Sequence, residues 1–259
     1  MDLGIKGRKA VVCASSQGLG HACATALARE GCEVVINGRN SEKLAAAQKA
    51  IEQQVGARVR AVAADIATEA GRRALVDACP QADILVNNNA GPPPGKLPDW
   101  DHATWLAAIE ANMLAPILLI REFLPGMRER KFGRIVNITS AMVKSPRPHM
   151  ALSTAARTGL TAFSKAMSLD AAADNVTINN LLPERIDTPR QKFMAERMMK
   201  EQGIDLAEAR RQITLEIAAR RFGTASEFAD ACAFLCSAQA GFISGQNLQL
   251  DGGSYHGLI

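Results

Sequence analysis

Short apolar runs alternate with segments in which apolar residues recur every three or four positions along most of this chain. The run at 134–138 alternates too little for a half-exposed strand and predicts a strand covered on both faces, whereas the longer segments have the period of amphipathic helices. The alternation of the two patterns predicts right-handed βαβ units and a parallel sheet. We predict strands at 9–15, 33–36, 59–63, 84–86, 134–138 and 247–250, and helices at 21–30, 41–54 with Ser41 as N-cap, 101–129 and 225–237.

The chemistry of this chain is expected between residues 133 and 165, where the buried strand passes into a polar, proline-containing loop and then a helix. Ser140 lies at the C-terminal edge of that strand. Ser153 and Arg157, four residues apart and therefore on one side of the helix, are expected on its exposed turn. The small apolar face of the helix consists of Ala151, Ala155, Ala156, Gly159, Leu160 and Phe163.

The composition fits one α/β domain, because 259 residues with 47% hydrophobic and 22% charged residues require no second domain. The net charge of +4 arises from interspersed lysines and arginines, so neither nucleic acid nor membrane is predicted as a partner. The start has no apolar run of secretory length and nothing approaches the ~18 residues of a membrane span, which predicts a cytoplasmic protein. The six cysteines lack Cys-x-x-Cys spacing and nearby histidines, so reduced thiols and no metal site are expected.

Two turns at predicted strand ends suggest a nucleotide site. Gly18 and Gly20, between the first strand and its helix, would let a phosphate approach the free amides of the helix start, although a purely structural turn is the alternative. The second strand ends in Asn37, Gly38 and Arg39, without the acidic residue that holds a free ribose 2′-hydroxyl. A guanidinium there favours a 2′-phosphate, and a solvated surface arginine is the alternative.

Polar residues also follow the third and fourth strands. Asp65, followed by Ile66, would accept a hydrogen bond from an adenine amino group or approach a helix N-terminus. The amides of Asn88 and Asn89 suit a ligand crevice at a strand's C-terminal edge. Asn112, inside the predicted helix 101–129, is either a satisfied buried amide or a residue that bends the helix and holds a water.

Together these motifs resemble the short-chain dehydrogenase/reductase family over nearly the full chain, and most of all its branch of 3-oxoacyl-carrier-protein reductases. Residues 13–20 match the family's Thr-Gly-x-x-x-Gly-x-Gly turn, with Cys13 for threonine and Ala14 for the first glycine, and residues 88–91 match Asn-Asn-Ala-Gly by letter. The other matches are Asp65, Asn112, Ser140, Pro183, Thr188 and the ending ISGQNLQLDGG.

The chain departs from the family at its most characteristic pair. The positions of Tyr-x-x-x-Lys hold Ser153 and Arg157, and the only tyrosine, Tyr255, lies at the far end of the chain. Glu184 also follows Pro183 where the family has glycine, so a side chain stands where glycine would tolerate close approach of a cofactor.

The resemblance implies a Rossmann-like, doubly wound three-layer sandwich in a single domain, 1–259, with a seven-stranded parallel sheet in the order 3-2-1-4-5-6-7. Segment 189–223 would be a helical lid over the substrate, with Met194, Met198 and Met199 on one adaptable face, or else a surface hairpin that packs on another subunit. A homo-oligomer, either a dimer or a tetramer, is also implied.

The resemblance further implies NADP(H) as the cofactor, with NAD(H) as the alternative, because Gln17 stands where relatives often have a second arginine. The cofactor-binding residues carried over are Ser16, Gln17, Gly18, Leu19, Gly20, Arg39, Asp65, Ile66, Asn88, Asn89, Ala90, Pro183, Ile186 and Thr188. The candidate catalytic residues are Ser140, Ser153, Arg157 and Asn112.

In the resembled family the tyrosine protonates a carbonyl, the lysine lowers the tyrosine's pKa and binds ribose, and the serine holds the carbonyl oxygen. An alkyl hydroxyl with a pKa near ~15.7 replaces a phenol near ~10, so proton transfer from Ser153 would cost roughly 7 kcal/mol more. Arg157 keeps the positive charge but cannot act as an acid or base at ordinary pH. A water, His149 or Lys144 is therefore considered as the proton source.

Three functions remain open on the sequence. The first is a nicotinamide-dependent oxidoreductase acting on a small carbonyl, alcohol or acyl substrate with an atypical active site. The second is a catalytically silent nucleotide-binding subunit or regulator, and the third is non-redox chemistry such as a lyase reaction. Basic residues near the expected mouth favour a carboxylate or phosphate on the substrate, with solvated surface charges as the alternative: Lys144, Arg147, Arg185 and Arg190.

Overall fold

A single parallel sheet in the order β3-β2-β1-β4-β5-β6-β7 forms the centre of the molecule, as predicted, in a computed structural model that describes residues 2–258. Its strands are β1 Lys9–Val12, β2 Glu33–Gly38, β3 Val59–Ala63, β4 Ile84–Asn87, β5 Gly133–Ile138, β6 Val176–Pro183 and β7 Asn247–Leu250. The first strand ends three residues earlier than predicted, and β6 had no predicted bounds.

Helices cover both faces of the sheet. They are α1 Gly18–Arg29, α2 Ser41–Val55, α3 Glu69–Ala78, α4 His102–Ile109, α5 Ala115–Glu129, α6 Ala151–Ala171, α7 Pro189–Gln202, α8 Leu206–Leu215 and α9 Ala225–Leu235. Helix α3 was not predicted. The predicted N-cap of α2 is wrong by one residue, because the side chain of Asn40 accepts the hydrogen bond from the amide of Lys43 at 2.8 Å.

The two hydrophobic layers follow from the two-residue period of the strands. Val12 and Val86 point into the layer formed with α1, α2 and α9, whereas Val11 and Leu85 point into the layer formed with α3, α5 and α6. Both sides of each central strand are therefore buried, which is why their sequences are apolar without alternation.

The long helix predicted at 101–129 is interrupted by a π-helical turn, Glu110–Leu114, that contains Asn112. By length and composition alone the helical run His102–Glu129 could cross a membrane, so the expectation that no segment approaches a span was wrong in that respect. Its Leu119, Phe123 and Met127 side chains are instead buried against the sheet.

A row of asparagine side chains crosses four neighbouring strands at the same level. Asn87, Asn137, Asn180 and Asn247 are paired in register. Their amide groups are linked in sequence, Asn87 donating to Asn137 at 2.9 Å, Asn137 to Asn180 at 3.1 Å, and Asn180 to Asn247 at 2.8 Å. Asn137 also donates to Ser164 of α6 at 2.9 Å, so this amide ladder anchors the helix that carries Ser153 and Arg157.

We expect Asn137→Ala to lower the free energy of unfolding by about 3 kcal/mol, because it removes the acceptor of the buried Asn87 amide and the donor to the side-chain oxygens of Asn180 and Ser164. Asn247→Ala is the matched control. It removes one amide of the same ladder on the partly exposed edge strand β7, and should cost less than about 1 kcal/mol. Urea unfolding measures both, and equal losses would show that the ladder is not a buried network.

Candidate active site

A cleft of about 920 Å³ lies along the carboxyl ends of the strands and is bounded on its outer side by α7. Because all strands are parallel, the segments that follow β1 to β6 meet at this one edge. The predicted residues on its wall are Ser16, Gln17, Gly18, Leu19, Arg39, Asp65, Ile66, Asn88, Asn89, Ala90, Ser140, Ser153, Arg157, Pro183, Ile186 and Thr188.

Gly20 and Asn112 are not on the cleft wall. Gly20 lies beneath the turn, where an added Cβ would come within 2.5 Å of the carbonyl oxygen of Ala14. Asn112 is buried and borders a second, much smaller cavity of about 10 Å³, which it shares with Asn89 and Arg157. Its Oδ1 has no hydrogen-bond partner among the described residues.

The turn after β1 is held from both sides by asparagines. Ala14 has φ +45°, a left-handed conformation that costs an alanine roughly 1 kcal/mol relative to glycine. Its amide donates to Oδ1 of Asn37 at 3.3 Å, and its carbonyl accepts from Nδ2 of Asn88 at 3.1 Å. These contacts keep the turn in the conformation for which the resembled family uses glycine. Burial raises the pKa of the Cys13 thiol to about 12, so this side chain stays neutral.

The residues present fit a bound phosphate at the start of α1. Gln17, at the N-cap position, makes no side-chain cap, so the first backbone amides of the helix are not occupied by a side chain. Gly18 has φ +63°, and an added Cβ there would meet no atom within 4 Å. The turn therefore opens directly onto the cleft.

The end of β2 fits a phosphorylated ribose. The side chain of Arg39 is 73% exposed, and its guanidinium lies 3.8 Å from the carboxylate of Asp65. An ion pair of that exposure contributes little, so the guanidinium is available to a stronger anion. Asn37, which the sequence had not marked as a site residue, is turned inward to the backbone of Ala64 at 3.0 Å.

Ser153 and Arg157 are buried, 5% and 8% exposed, and the expectation of an exposed helical turn was wrong. Arg157 donates to the carbonyl oxygen of Ile138 at 2.7 Å, to that of Asn89 at 3.1 Å, and through Nε to Oγ of Ser153 at 3.3 Å. These oxygens lie at the end of β5 and in the loop after β4, and they need donors once the cleft walls close over them. The polar side of α6 therefore faces inward, and Ala155 of the predicted apolar face is exposed.

Arg157 carries its charge without a carboxylate partner among the described residues. Burial, and to a smaller extent the positive charge of Arg190, lower the pKa of its guanidinium to about 10. The group still remains protonated at neutral pH. It therefore places a positive charge beside the Ser153 hydroxyl.

The loop between β5 and α6 brings some of the predicted polar groups to the cleft. Ser140 accepts a hydrogen bond from the amide of Met142 at 3.2 Å and so caps the short turn Ala141–Val143 rather than the strand itself. His149 is exposed on the cleft wall. Lys144 does not line the cleft, and its Nζ lies 5.3 Å from the centre of the Tyr255 ring.

Two of the basic residues expected at the mouth are already neutralised. Arg147 donates to Glu184 at 2.8 Å, and Arg185 to Glu216 at 2.9 Å. The ion pair with Arg147 also draws the Glu184 carboxylate toward the β5–α6 loop. No sequence signal indicated this pairing, because the two residues are 37 positions apart.

The fold and the cleft define a dinucleotide-binding α/β protein, and the comparisons with known proteins agree. A family model described as enoyl-(acyl carrier protein) reductase matches residues 13–255. The NADPH-dependent reductase BacG of Bacillus subtilis (strain 168) is 33% identical over 252 residues, 95% of this chain and 97% of its own. The 3-oxoacyl-[acyl-carrier-protein] reductase FabG of Vibrio cholerae is 29% identical over 98% of this chain and 99% of its own.

Among solved structures, L-sorbose reductase from Gluconobacter frateurii, complexed with NADPH and L-sorbose, superposes with a TM-score of 0.95 at 31% identity over 100% of both chains. The chain belongs to the short-chain dehydrogenase/reductase family.

We expect Arg157→Met to raise the amide hydrogen-exchange rates of residues 89–91 by about tenfold or more, because the loop loses a charge-assisted hydrogen bond. Arg72→Met is the matched control, since Arg72 also donates to a backbone carbonyl, that of Ile66, at 2.9 Å. It should leave exchange in residues 89–91 unchanged. Exchange rates that do not respond to Arg157→Met would contradict the tethering role.

Proposed function

We propose that this chain is an NADPH-dependent reductase of small carbonyl compounds that uses Ser140 together with Ser153 and Arg157, which stand in place of the family's tyrosine and lysine. The observation that carries the proposal is the hydrogen bond from Nε of Arg157 to Oγ of Ser153 on the wall of the cleft. Because the hydroxyl oxygen accepts from a cation, its own hydrogen is directed elsewhere and is a better donor.

The cofactor assignment is supported by the fit of the cleft and by the NADPH-dependent relatives. Ser16 to Leu19 would hold the pyrophosphate, Arg39 the 2′-phosphate, and Asp65 with Ile66 the adenine. The nicotinamide half would be held by Asn88, Asn89, Ala90, Pro183, Ile186 and Thr188. NADPH bound in this way supplies a hydride to the carbonyl carbon.

In this proposal the chain's own residues handle the carbonyl oxygen. Ser140 and Ser153 donate hydrogen bonds to it, and the charge of Arg157 stabilises the negative charge that develops there. Arg157 keeps its proton, since its pKa, lowered to about 10 by burial and by the charge of Arg190, is still well above neutrality. The proton that completes the alcohol would come from water at the cleft mouth beside His149, because Ser153 alone is too weak an acid.

We further propose that segment 189–223 is the lid of the substrate site. Helices α7 and α8 contribute Met194, Met198 and Ile213 to the cleft wall, which gives that side an apolar surface. Oxygen-containing substrates with an apolar body suit such a wall.

A cytoplasmic homo-oligomer, a dimer or a tetramer, completes the proposal. Its support is the apolar surface left on two helices, where Leu106 of α4 is 53% exposed and Phe234 of α9 is 38% exposed. The cysteines of the described residues are all unpaired and buried, as suits a reducing compartment.

We expect the purified protein to oxidise NADPH in the presence of ketones, keto-esters or quinones, and Ser153→Ala to lower kcat by about 10-fold to 100-fold with the NADPH Kd unchanged. The control is Thr154→Val, which removes a neighbouring buried hydroxyl that has no hydrogen-bond partner. NADPH binding without turnover of any carbonyl would instead support the silent nucleotide-binding subunit.

Arg39→Ala should weaken NADPH binding by about tenfold or more and leave NADH binding nearly unchanged, because only NADPH offers a phosphate to this exposed guanidinium. Fluorescence titration of both cofactors measures the effect. Equal weakening of both would refute the assignment of Arg39 to the 2′-phosphate.

A further inference from the structure

Most arginines on the cleft wall are already paired with a carboxylate. Such pairs are electrically neutral and therefore attract an anionic ligand only weakly. The close pairs are Arg147 with Glu184 at 2.8 Å, Arg185 with Glu216 at 2.9 Å, and Arg197 with Glu201 at 2.5 Å, whereas Arg39, 3.8 Å from Asp65, is paired only loosely.

Arg190, in the first turn of α7, differs from these arginines. Its guanidinium donates to the carbonyl oxygen of Pro92 at 3.2 Å and lies 5.6 Å from the centre of the Phe193 ring, but no carboxylate among the described residues pairs with it. Arg190 is exposed at the rim of the cleft, where partial desolvation lowers the pKa of its guanidinium and the charge of Arg197 lowers it further. Arg190 thus brings an uncompensated charge to the cleft from the lid side.

Arg157, on α6, brings a second uncompensated charge to the same cleft. It is buried, and the carbonyl and hydroxyl oxygens that it contacts are dipoles rather than charges. Arg190 is close enough to lower the pKa of Arg157, after the larger effect of burial. Two like charges in one partly desolvated cleft are unfavourable, and an anion between them relieves that repulsion.

The apolar part of the wall adjoins these two cations. Met142 and Met150 come from the β5–α6 loop, and Met194 and Met198 from α7. A ligand complementary to both surfaces has one small anionic group and an apolar body. A planar guanidinium matches a carboxylate in geometry, and Arg157 already uses three N–H groups on protein oxygens, which leaves room for one small anion.

We propose that Arg190, which lines the same cleft as Arg157, binds the carboxylate of an oxo-acid substrate whose apolar body lies against the methionines. The reduction of that substrate rests on the proposed function, but the binding of the carboxylate does not. Arg190 lies in the first turn of α7, on a different segment of the chain from Ser16 to Leu19 and Arg39, which suit the cofactor's phosphates.

The first test compares straight-chain oxo acids, 2-oxohexanoate and 4-oxohexanoate, with their methyl esters as substrates. The wild type should favour at least one acid over its ester by about tenfold or more in kcat/KM. Arg190→Gln should remove that preference by raising KM for the acid much more than KM for the ester, and Arg190→Lys should restore part of it. Lys192→Gln is the control, because it removes a charge from an exposed position of the same helix off the cleft wall.

The second test measures binding without turnover. Calorimetric titration with hexanoate, in the presence of NADP⁺, should show binding to the wild type and to Lys192→Gln, and at least about tenfold weaker binding to Arg190→Gln. The Kd for NADPH should stay within about twofold in Arg190→Gln. A loss of NADPH affinity with the acid preference intact would assign Arg190 to the cofactor and overturn the inference.

The two tests separate this inference from the proposed function. Reduction of ketones and oxo esters with no preference for oxo acids, or with a preference that survives Arg190→Gln, overturns the carboxylate site. Such a result would still support the proposed reductase activity. Hexanoate binding that is lost in Arg190→Gln, with no turnover of any carbonyl, supports the carboxylate site and overturns the reductase.

Discussion

The guanidinium of Arg157 ties the end of β5 to the loop after β4, and the open cleft depends on this buried contact. Parallel strands that end at one edge leave carbonyl oxygens pointing into the site, and each needs a donor once the surrounding helices cover it. Arg157 supplies two of these hydrogen bonds from a single planar group. A lysine ammonium is a point charge without that fixed fork of donors.

Buried side-chain amides likewise hold neighbouring segments together along the rest of the sheet's carboxyl edge. Asn37 and Asn88 hold the left-handed turn at Ala14, and Asn137 joins β5 to its neighbours and to α6. Each of these side chains both donates and accepts, so it can pair with carbonyls and amides that face different directions. The cleft is therefore lined by a fixed set of dipoles, and a charged ligand meets a surface that needs little reorganisation.

Apolar periodicity and local turn residues predicted the parallel sheet, and the resemblance to the family implied the order of its strands. The sequence also predicted which loops meet at the cleft. It misjudged the burial of Ser153 and Arg157, because a four-residue spacing shows that two side chains share a side of a helix but not which side faces inward. The pairing of Arg147 with Glu184, and the lack of a carboxylate partner for Arg190 within residues 2–258, depend on the positions of the β5–α6 loop and of α7, which no local pattern encodes.

The replacements at positions 153 and 157 are sterically coupled. An added Cβ at Gly91 would lie 3.5 Å from both the Ser153 hydroxyl and the Arg157 guanidinium, so the three residues share one small volume. A tyrosine at 153 would extend its ring into the space through which Nε of Arg157 reaches Oγ. The guanidinium is bulkier than an ammonium and needs a short neighbour to turn toward Ile138 and Asn89. We infer that serine and arginine form a matched pair: the small hydroxyl makes room for the large cation, and the cation in turn fixes the hydroxyl.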